Sequence, residues 1–223
     1  MSPTFQKIEP VSKKSRVLDS LRQAIISGAI QGGDQLVEAK IAQEFGVGQG
    51  LIREALIELE HQGFVQRTPF SGTQVPKLTV EDAQHIFEIR IELEPLAVFL
   101  AGPKLTEADL STLQQIAEQS SAAAKLEDLD GFFEKHLSFR KKIWALSANP
   151  YLQQALERVV IPLYGLYLIR RTRSSKGLLQ AVLDCVEHQD KILHAYRDKD
   201  FKLARRVARD FLIQTKNYMK SRG

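Results

Sequence analysis

The stretch "FGVGQGLIREALIELEHQGFVQRTPFSGTQV", Phe45 to Val75, decides how the first part of the chain folds. Ile52, Ala55, Leu56 and Leu59 recur at three- and four-residue steps, which marks one apolar face of a helix over Leu51 to Gln62. Gly46 to Gly50 reads as a tight turn ahead of that helix, and Gly63 as its stop. Two short runs follow, Phe64 to Thr68 and Thr73 to Val75. Pro69-Phe70-Ser71-Gly72 separates them, which predicts a small hairpin. Upstream, Val17, Leu18, Leu21, Ala24 and Ile25 set a first amphipathic helix between Ser15 and Ser27, ended by Gly28, and Glu38 to Phe45 form a short second one. Three helices with a tight turn between the second and third, closed by a hairpin, make a winged helix-turn-helix whose recognition helix starts at Leu51.

Pro76-Lys77-Leu78 reads as a linker, and beyond it every segment has a helical pattern. Thr79-Val80-Glu81-Asp82 is a capping box with Asp in place of Glu or Gln, Thr106 stands three residues before Asp109, and Asn149-Pro150 supplies a cap followed by a first-turn proline. The expected helices run over 79–101, 106–124, 127–147, 150–173, 176–197 and 200–221. The fold class is therefore mainly α: a winged helix-turn-helix DNA-binding domain over 1–76, with a small β-hairpin wing, and an all-helical bundle over 77–223.

With 223 residues, 43% of them hydrophobic, the chain can bury one large core or two modest ones. Its single cysteine, Cys185, excludes an intramolecular disulfide and reads as a small buried apolar side chain. The N-terminus has no signal-peptide pattern. The longest uncharged apolar run, Val159 to Ile169, is too short to span a bilayer, so the expected location is the cytoplasm, away from any membrane. Residues 1–76 carry eight basic and eight acidic side chains, so the net charge of +4 lies in the second unit. Part of it is a basic C-terminal tail, Lys202 to Arg222, which reads as a solvated helix face. If the first unit binds nucleic acid, it does so by arrangement and not by bulk charge.

The chain resembles the GntR family of bacterial transcription regulators, in the FadR subgroup whose C-terminal domain is called FCD. The resemblance rests on "LRQAIISGAIQGGDQLVEAKIAQEFGV", "IREALIELEHQGFV" and "SGTQV" in the first unit. In the second it rests on "IFEIRIELEPLAVFLAG", "FRKKIWALSANPYL" and "ILHAYRDKDFKLARRVARDF". It implies an operator-binding homodimer whose helical unit, 77–223, serves effector binding and dimerisation. Arg53 matches the family's base-reading arginine, while Gly48-Gln49-Gly50-Leu51-Ile52-Arg53-Glu54 replaces the usual Ser-Arg-x-Pro-Val-Arg-Glu, so the serine cap and its neighbouring arginine are missing. Gln49 suits adenine where arginine prefers guanine, and Gly48 and Gly50 let a partner approach the backbone closely. Lys40 is a candidate phosphate contact, and Arg67, Ser71, Gly72 and Thr73 are candidates for backbone or minor-groove contacts.

Many members of the subgroup hold a divalent metal with an aspartate, a histidine four residues later and two further histidines. Aligned on Phe139 and "SANPYL", the first two positions fall on His136 and Arg140; aligned on Ile192, Ala195 and Asp200, the others fall on Gln189 and Phe211. Neither arginine nor phenylalanine ligates a divalent cation, so no metal cofactor is expected. A one-residue shift brings His188 to the third position and leaves His136 and His188 as a two-histidine remnant, short of a full set. The expected site instead holds a small organic acid or aromatic effector among His136, Arg140, Gln189 and Phe211, with Arg90 as a further candidate. The competing reading pairs Arg140 with Glu94 and fills the cavity. Tyr164, Tyr167, Arg170 and Arg171 either line the same space or belong to the core and surface of their helix. The function these features imply is a repressor released from a palindromic operator by its effector. The alternatives are an effector-independent DNA-binding protein, or an enzyme on the helical domain, for which no phosphate loop, nucleophile elbow or catalytic triad is present.

Overall fold

The computed structural model describes residues 13–68, 72–163 and 178–220. The chain divides between Pro76 and Lys77 into two compact units.

The first unit contains α1 (Lys13–Ser27), α2 (Glu38–Phe45), α3 (Gln49–His61), β1 (Gln66–Thr68) and β2 (Gly72–Gln74). Its core joins Val17, Leu21 and Ile25 of α1 to Ile52, Ala55, Leu56 and Leu59 of α3, with Phe64 and Val75 beneath the hairpin. Gly46 ends α2 in the left-handed region (φ 62°), where a side chain would be strained. The turn is shorter than the sequence suggests. Gly48 is extended (φ −72°, ψ 147°) and caps α3 without a side-chain hydrogen bond, so Gln49 and Gly50 already belong to the first helical turn. An extended residue is all that helix entry requires; the missing serine removes a stabilising bond without delaying the helix.

The two strands pair antiparallel, with Gln66 opposite Gln74 and Thr68 opposite Gly72. The first strand is shorter than expected because Phe64 and Val65 turn into the core instead of extending the ladder, and the second keeps its expected length but starts one residue earlier. The segment before α2 closes the free edge of β2: Leu36 N donates to Thr73 O (2.7 Å) and Gly33 N to Val75 O (2.7 Å).

The second unit contains α4 (Val80–Ala101), a 3-10 turn (Gly102–Lys104), α5 (Glu107–Lys125), α6 (Leu129–Leu146), α7 (Pro150–Leu163), α8 (Leu178–Arg197) and α9 (Phe201–Lys220). The described boundaries lie within two residues of the sequence expectation. The stretch 164–177, into which two of the expected helices run, lies outside the described residues, as do Tyr164, Tyr167, Arg170 and Arg171. Capping explains the agreement. Asp82 N donates to Thr79 Oγ1 (3.1 Å) while Thr79 N donates to Asp82 Oδ2 (2.8 Å), and Thr106 with Asp109 repeats the box. Leu152 N donates to Asn149 Oδ1 (3.1 Å). The late start of α6 is equally local: Glu127 is left-handed (φ 57°) and Asp128 accepts from Gly131 N (3.0 Å).

Helix α4 is the spine, packing along α9 and against α6 and α7, while α5 packs on α6 and α8. Its C-terminal half joins a core of Val98, Phe139, Ile143, Ile192 and Tyr196, where the Tyr196 hydroxyl donates to Val98 O (2.9 Å). Its N-terminal half joins Phe87 and Ile91 to Leu163, Leu212 and Met219. At the end of α4 the backbone of Gly102 touches the Phe201 ring so closely that a Cβ there would overlap it. Gly102→Ala is therefore expected to cost ~1–3 kcal/mol of stability. Urea unfolding reads this as a lower midpoint, and an unchanged midpoint would contradict the contact.

Candidate functional site

In the first unit the exposed surface of α3 begins with Gln49 and Gly50 and continues to Arg53. A Cβ added at Gly48 or Gly50 would meet nothing within 4 Å, so internal packing gives no reason for either glycine. Arg53 is held by a carboxylate that sequence spacing did not single out. Its Nε and Nη2 donate to Glu38 Oε2 at 3.0 and 2.9 Å, a two-pronged contact from α3 to the first turn of α2. Arg67, on β1, reaches the same group, with Nη2 donating to Glu38 Oε1 (3.1 Å). Glu38 thus holds an arginine of the recognition helix and one of the wing together. The Arg53 hydrogen bond draws its carboxyl below the usual range although burial opposes this, and both arginine charges add to the effect. The Arg53 side chain remains 59% exposed. Lys40 is exposed beside Glu44 (4.0 Å).

The wing requires one correction. Thr73 is buried, 5% exposed, and its carbonyl is bonded to Leu36 N, so its side chain does not face an outside partner as the sequence reading expected. Alternation along β2 accounts for this: the residue between two outward positions points inward. Gly72 is exposed, and Ser71 lies outside the described residues.

In the second unit a cavity of about 150 Å³ opens among α4, α6, α8 and α9. Four of the five expected effector residues line it or form its edge: Arg90, His136, Arg140 and Phe211. Gln189 does not; it is fully buried elsewhere, and its side-chain amide has no hydrogen-bond partner among the described residues. Its neighbour His188 takes the place facing Phe211, with the two rings stacked at 4.1 Å. One residue along a helix is a rotation of ~100°, which is why alignment by anchors selected the wrong member of the pair. The apolar walls include Phe87, Phe132, Phe133, Val182 and Tyr218, and polar groups of Gln180 and Asp184 on α8 and of Gln214 and Thr215 on α9 also border the space, with Cys185 beside them. Helical spacing carried that signal: Phe87 precedes Arg90 by three residues, Phe132 precedes His136 by four, and Thr215 follows Phe211 by four.

The charges are tightly organised. Glu94 accepts from Arg90 Nε (2.5 Å) across one turn of α4 and from Arg140 Nη1 of α6, and all three side chains are buried. The pairing of Arg140 with Glu94 is therefore present, but the cavity is not filled. Arg140 Nε also donates to His136 Nε2 (3.3 Å), which places the imidazole proton on Nδ1. Its guanidinium carbon lies 5.8 Å from the Phe211 ring centre, and that of Arg90 lies 4.4 Å from Phe87. Arg140 and His136 also line a second cavity of about 20 Å³, room for one water, and Glu94 lines only this smaller one.

Burial would raise the carboxyl of Glu94, but Arg140 and Arg90 outweigh it and keep the group ionised. Burial holds His136 and His188 well below the ordinary histidine value, and the Arg140 charge pushes both further down. Burial pushes the Cys185 thiol up to about 12, which leaves it an unreactive wall group.

These residues do not fit a divalent cation. The Nε2 lone pair of His136 is committed to Arg140, Glu94 is shared by two guanidinium groups, and a fixed positive charge stands where a metal would need donors. Among the described residues no three His, Cys, Asp or Glu side chains come together in a way that would hold a metal ion.

The buried histidines set a pH dependence. Both stay neutral when folded, whereas in the unfolded chain they bind protons below pH 6.5. Stability is thus retained above that value and falls as the pH drops below it, by ~1.4 kcal/mol per pH unit for each histidine until the folded group also titrates. Urea unfolding between pH 7 and 5 is expected to show this decline, and a His136→Gln/His188→Gln double variant to flatten it. Equal slopes would place the acid sensitivity elsewhere.

Comparison with known proteins agrees with both halves of this description. Residues 13–75 match the family described as bacterial regulatory proteins, gntR family, and residues 85–214 match the FCD domain. The chain is 29% identical over 157 residues to an uncharacterised HTH-type transcriptional regulator, YdhC, of Bacillus subtilis, covering 70% of each chain. It is also 29% identical over 157 residues to the HTH-type transcriptional regulator McbR of Escherichia coli, covering 70% of this chain and 71% of the other. A solved structure of E. coli McbR superposes with a TM-score of 0.80 at 24% identity, covering 95% of this chain and 99% of that one, which shows a common fold. No described helix is long and apolar enough to cross a membrane. The chain belongs to the gntR family of bacterial regulatory proteins and, with its FCD domain, is a DNA-binding transcription regulator and not an enzyme.

Proposed function

We propose that this regulator is a homodimeric repressor that reads a palindromic operator with α3 and releases it when a small organic acid or aromatic ligand enters the cavity of the helical unit. The observation that carries the ligand half is the cavity itself, about 150 Å³ with buried guanidinium groups at its edge. Among the relatives, a gluconate operon transcriptional repressor of Bacillus licheniformis is 32% identical over 128 residues, 57% of this chain and 52% of that one, which favours repression.

On the DNA side, Gln49 and Arg53 read base edges, Gln49 favouring adenine and Arg53 guanine. The bare backbone at Gly48 and Gly50 lets the positive end of α3 approach a phosphate. Arg67 and Gly72 contact the backbone or minor groove, with Ser71 a further candidate, and Lys40 contacts phosphate. Two-fold symmetry of the dimer demands a two-fold operator. Complete release of the operator needs a ligand preference of ~5.5 kcal/mol between the two dimer geometries.

Selection from random duplexes tests the readout. Arg53→Ala is expected to weaken the selected site by ~1–3 kcal/mol and relax one position in each half-site. Gln49→Arg should move a neighbouring preference from A·T towards G·C, while Lys40→Ala weakens all sequences alike and lowers the salt slope by ~1. A Gln49→Arg protein that selects the wild-type sequence would contradict the assignment.

A further inference from the structure

We propose that Glu38 is a specificity-determining positioning residue: its carboxylate stays bound to Arg53 and Arg67 in the DNA complex and aims the remaining edge of the Arg53 guanidinium at a guanine. This rests on the reading of Arg53 as a base-contacting residue and deepens it by naming the group that orients it.

The carboxylate is divided between the two arginines. Oε2 accepts from Arg53 Nε and Nη2 (3.0 and 2.9 Å), and Oε1 accepts from Arg67 Nη2 (3.1 Å). Glu38 stands in the first turn of α2, where the positive end of the helix favours a carboxylate. Its side chain is mostly covered, whereas that of Arg53 is mostly exposed. The wing has a second tie to the recognition helix, since Arg67 N donates to Glu60 Oε1 near the end of α3 (3.1 Å). The spacing between the arginine of the helix and the arginine of the wing is therefore set within the unit, before DNA arrives.

A guanidinium offers two edges for paired hydrogen bonds. Nε–H and one Nη2–H form the first, and the other Nη2–H with Nη1–H forms the second. Glu38 occupies the first edge of Arg53, and Nη1 makes no hydrogen bond to any described residue. The second edge fits guanine O6 and N7 in the major groove. A guanidinium held on one side also loses less side-chain freedom when it binds on the other. Charge acts in the same direction. A phosphate brought against Arg53 meets the Glu38 anion, while a guanine edge is neutral. Glu38 thus weakens binding to DNA at large and raises the ratio of specific to non-specific affinity.

The test uses the full-length protein in selection from random duplexes. The selected duplex and a scrambled duplex of equal length are then titrated over a range of salt concentrations. Glu38→Gln keeps the shape of the side chain and removes its charge. It is expected to bind the scrambled duplex more tightly, to lower the specificity ratio by ~10-fold, and to relax the guanine preference assigned to Arg53. Its urea midpoint should stay near that of the wild type, because these ion pairs lie at the surface. Glu38→Asp keeps the charge on a shorter arm and should retain part of the preference, which gives a second readout if the glutamine variant does not fold. In an Arg53→Ala background, Glu38→Gln should alter the guanine preference no further. Equal loss of affinity for both duplexes with the base preference intact would make Glu38 a structural brace and overturn the proposal, as would an unchanged specificity ratio. If Arg53→Ala relaxes a position that Glu38→Gln leaves sharp, the base-reading role of Arg53 stands and the role of Glu38 fails. If Arg53→Ala relaxes no position, both fail.

Discussion

The helical unit is organised around a carboxylate that two guanidinium groups share. Glu94, Arg90 and Arg140 are all buried, and removing one partner from such a cluster costs ~3–5 kcal/mol because a charge is left unpaired in a poorly polarisable medium. The cluster therefore constrains whatever surrounds it. It ties α6 to α4, the helix that contributes to two hydrophobic clusters of the unit. Its positive charges, added to burial, keep His136 and His188 neutral, and His136 is then free to accept the Arg140 Nε–H. The aromatic side chains follow the same pattern: Phe87 lies against Arg90, Phe132 against His136, and Phe211 between Arg140 and His188.

The DNA-binding unit uses a similar device at its surface. Glu38 gathers Arg53 from α3 and Arg67 from the wing, in solvent and at far lower energetic stakes. A carboxylate between two arginines fixes their spacing before any phosphate or base is present, and it keeps the net charge of a unit that must discriminate among sequences close to zero. Association then depends on replacing or sharing those bonds. This suits the proposed readout, in which specificity lies in a few side chains at the start of α3.

Much of the architecture was legible from local signals. The capping boxes at Thr79 and Thr106, the asparagine cap before Pro150 and the apolar spacing of α1 and α3 each fix an element by chemistry within four residues. What was not legible depended on register or on distance. The start of α3 moved because Gly48 adopts an extended conformation that a glycine does not announce. The hairpin shortened because Phe64 and Val65 were drawn into a core assembled from distant helices. At the cavity, the alignment anchors lead to His136, Arg140 and Phe211, which line it together with the further candidate Arg90, but they select Gln189 where the helix turns His188 toward Phe211. The Glu38 clamp lies 15 residues from Arg53 and 29 from Arg67, separations that no helical or strand period connects.

At the proposed ligand site a guanidinium and not a metal provides the positive charge. The most direct measurement is anomalous diffraction from crystals grown in excess Zn²⁺, collected on either side of the zinc absorption edge. The expected map shows no anomalous peak within coordination distance of His136 or His188, and continuous density linking Arg140 to Glu94 and to His136. A zinc peak bound by the two histidines, with Arg140 swung away from Glu94, would contradict it.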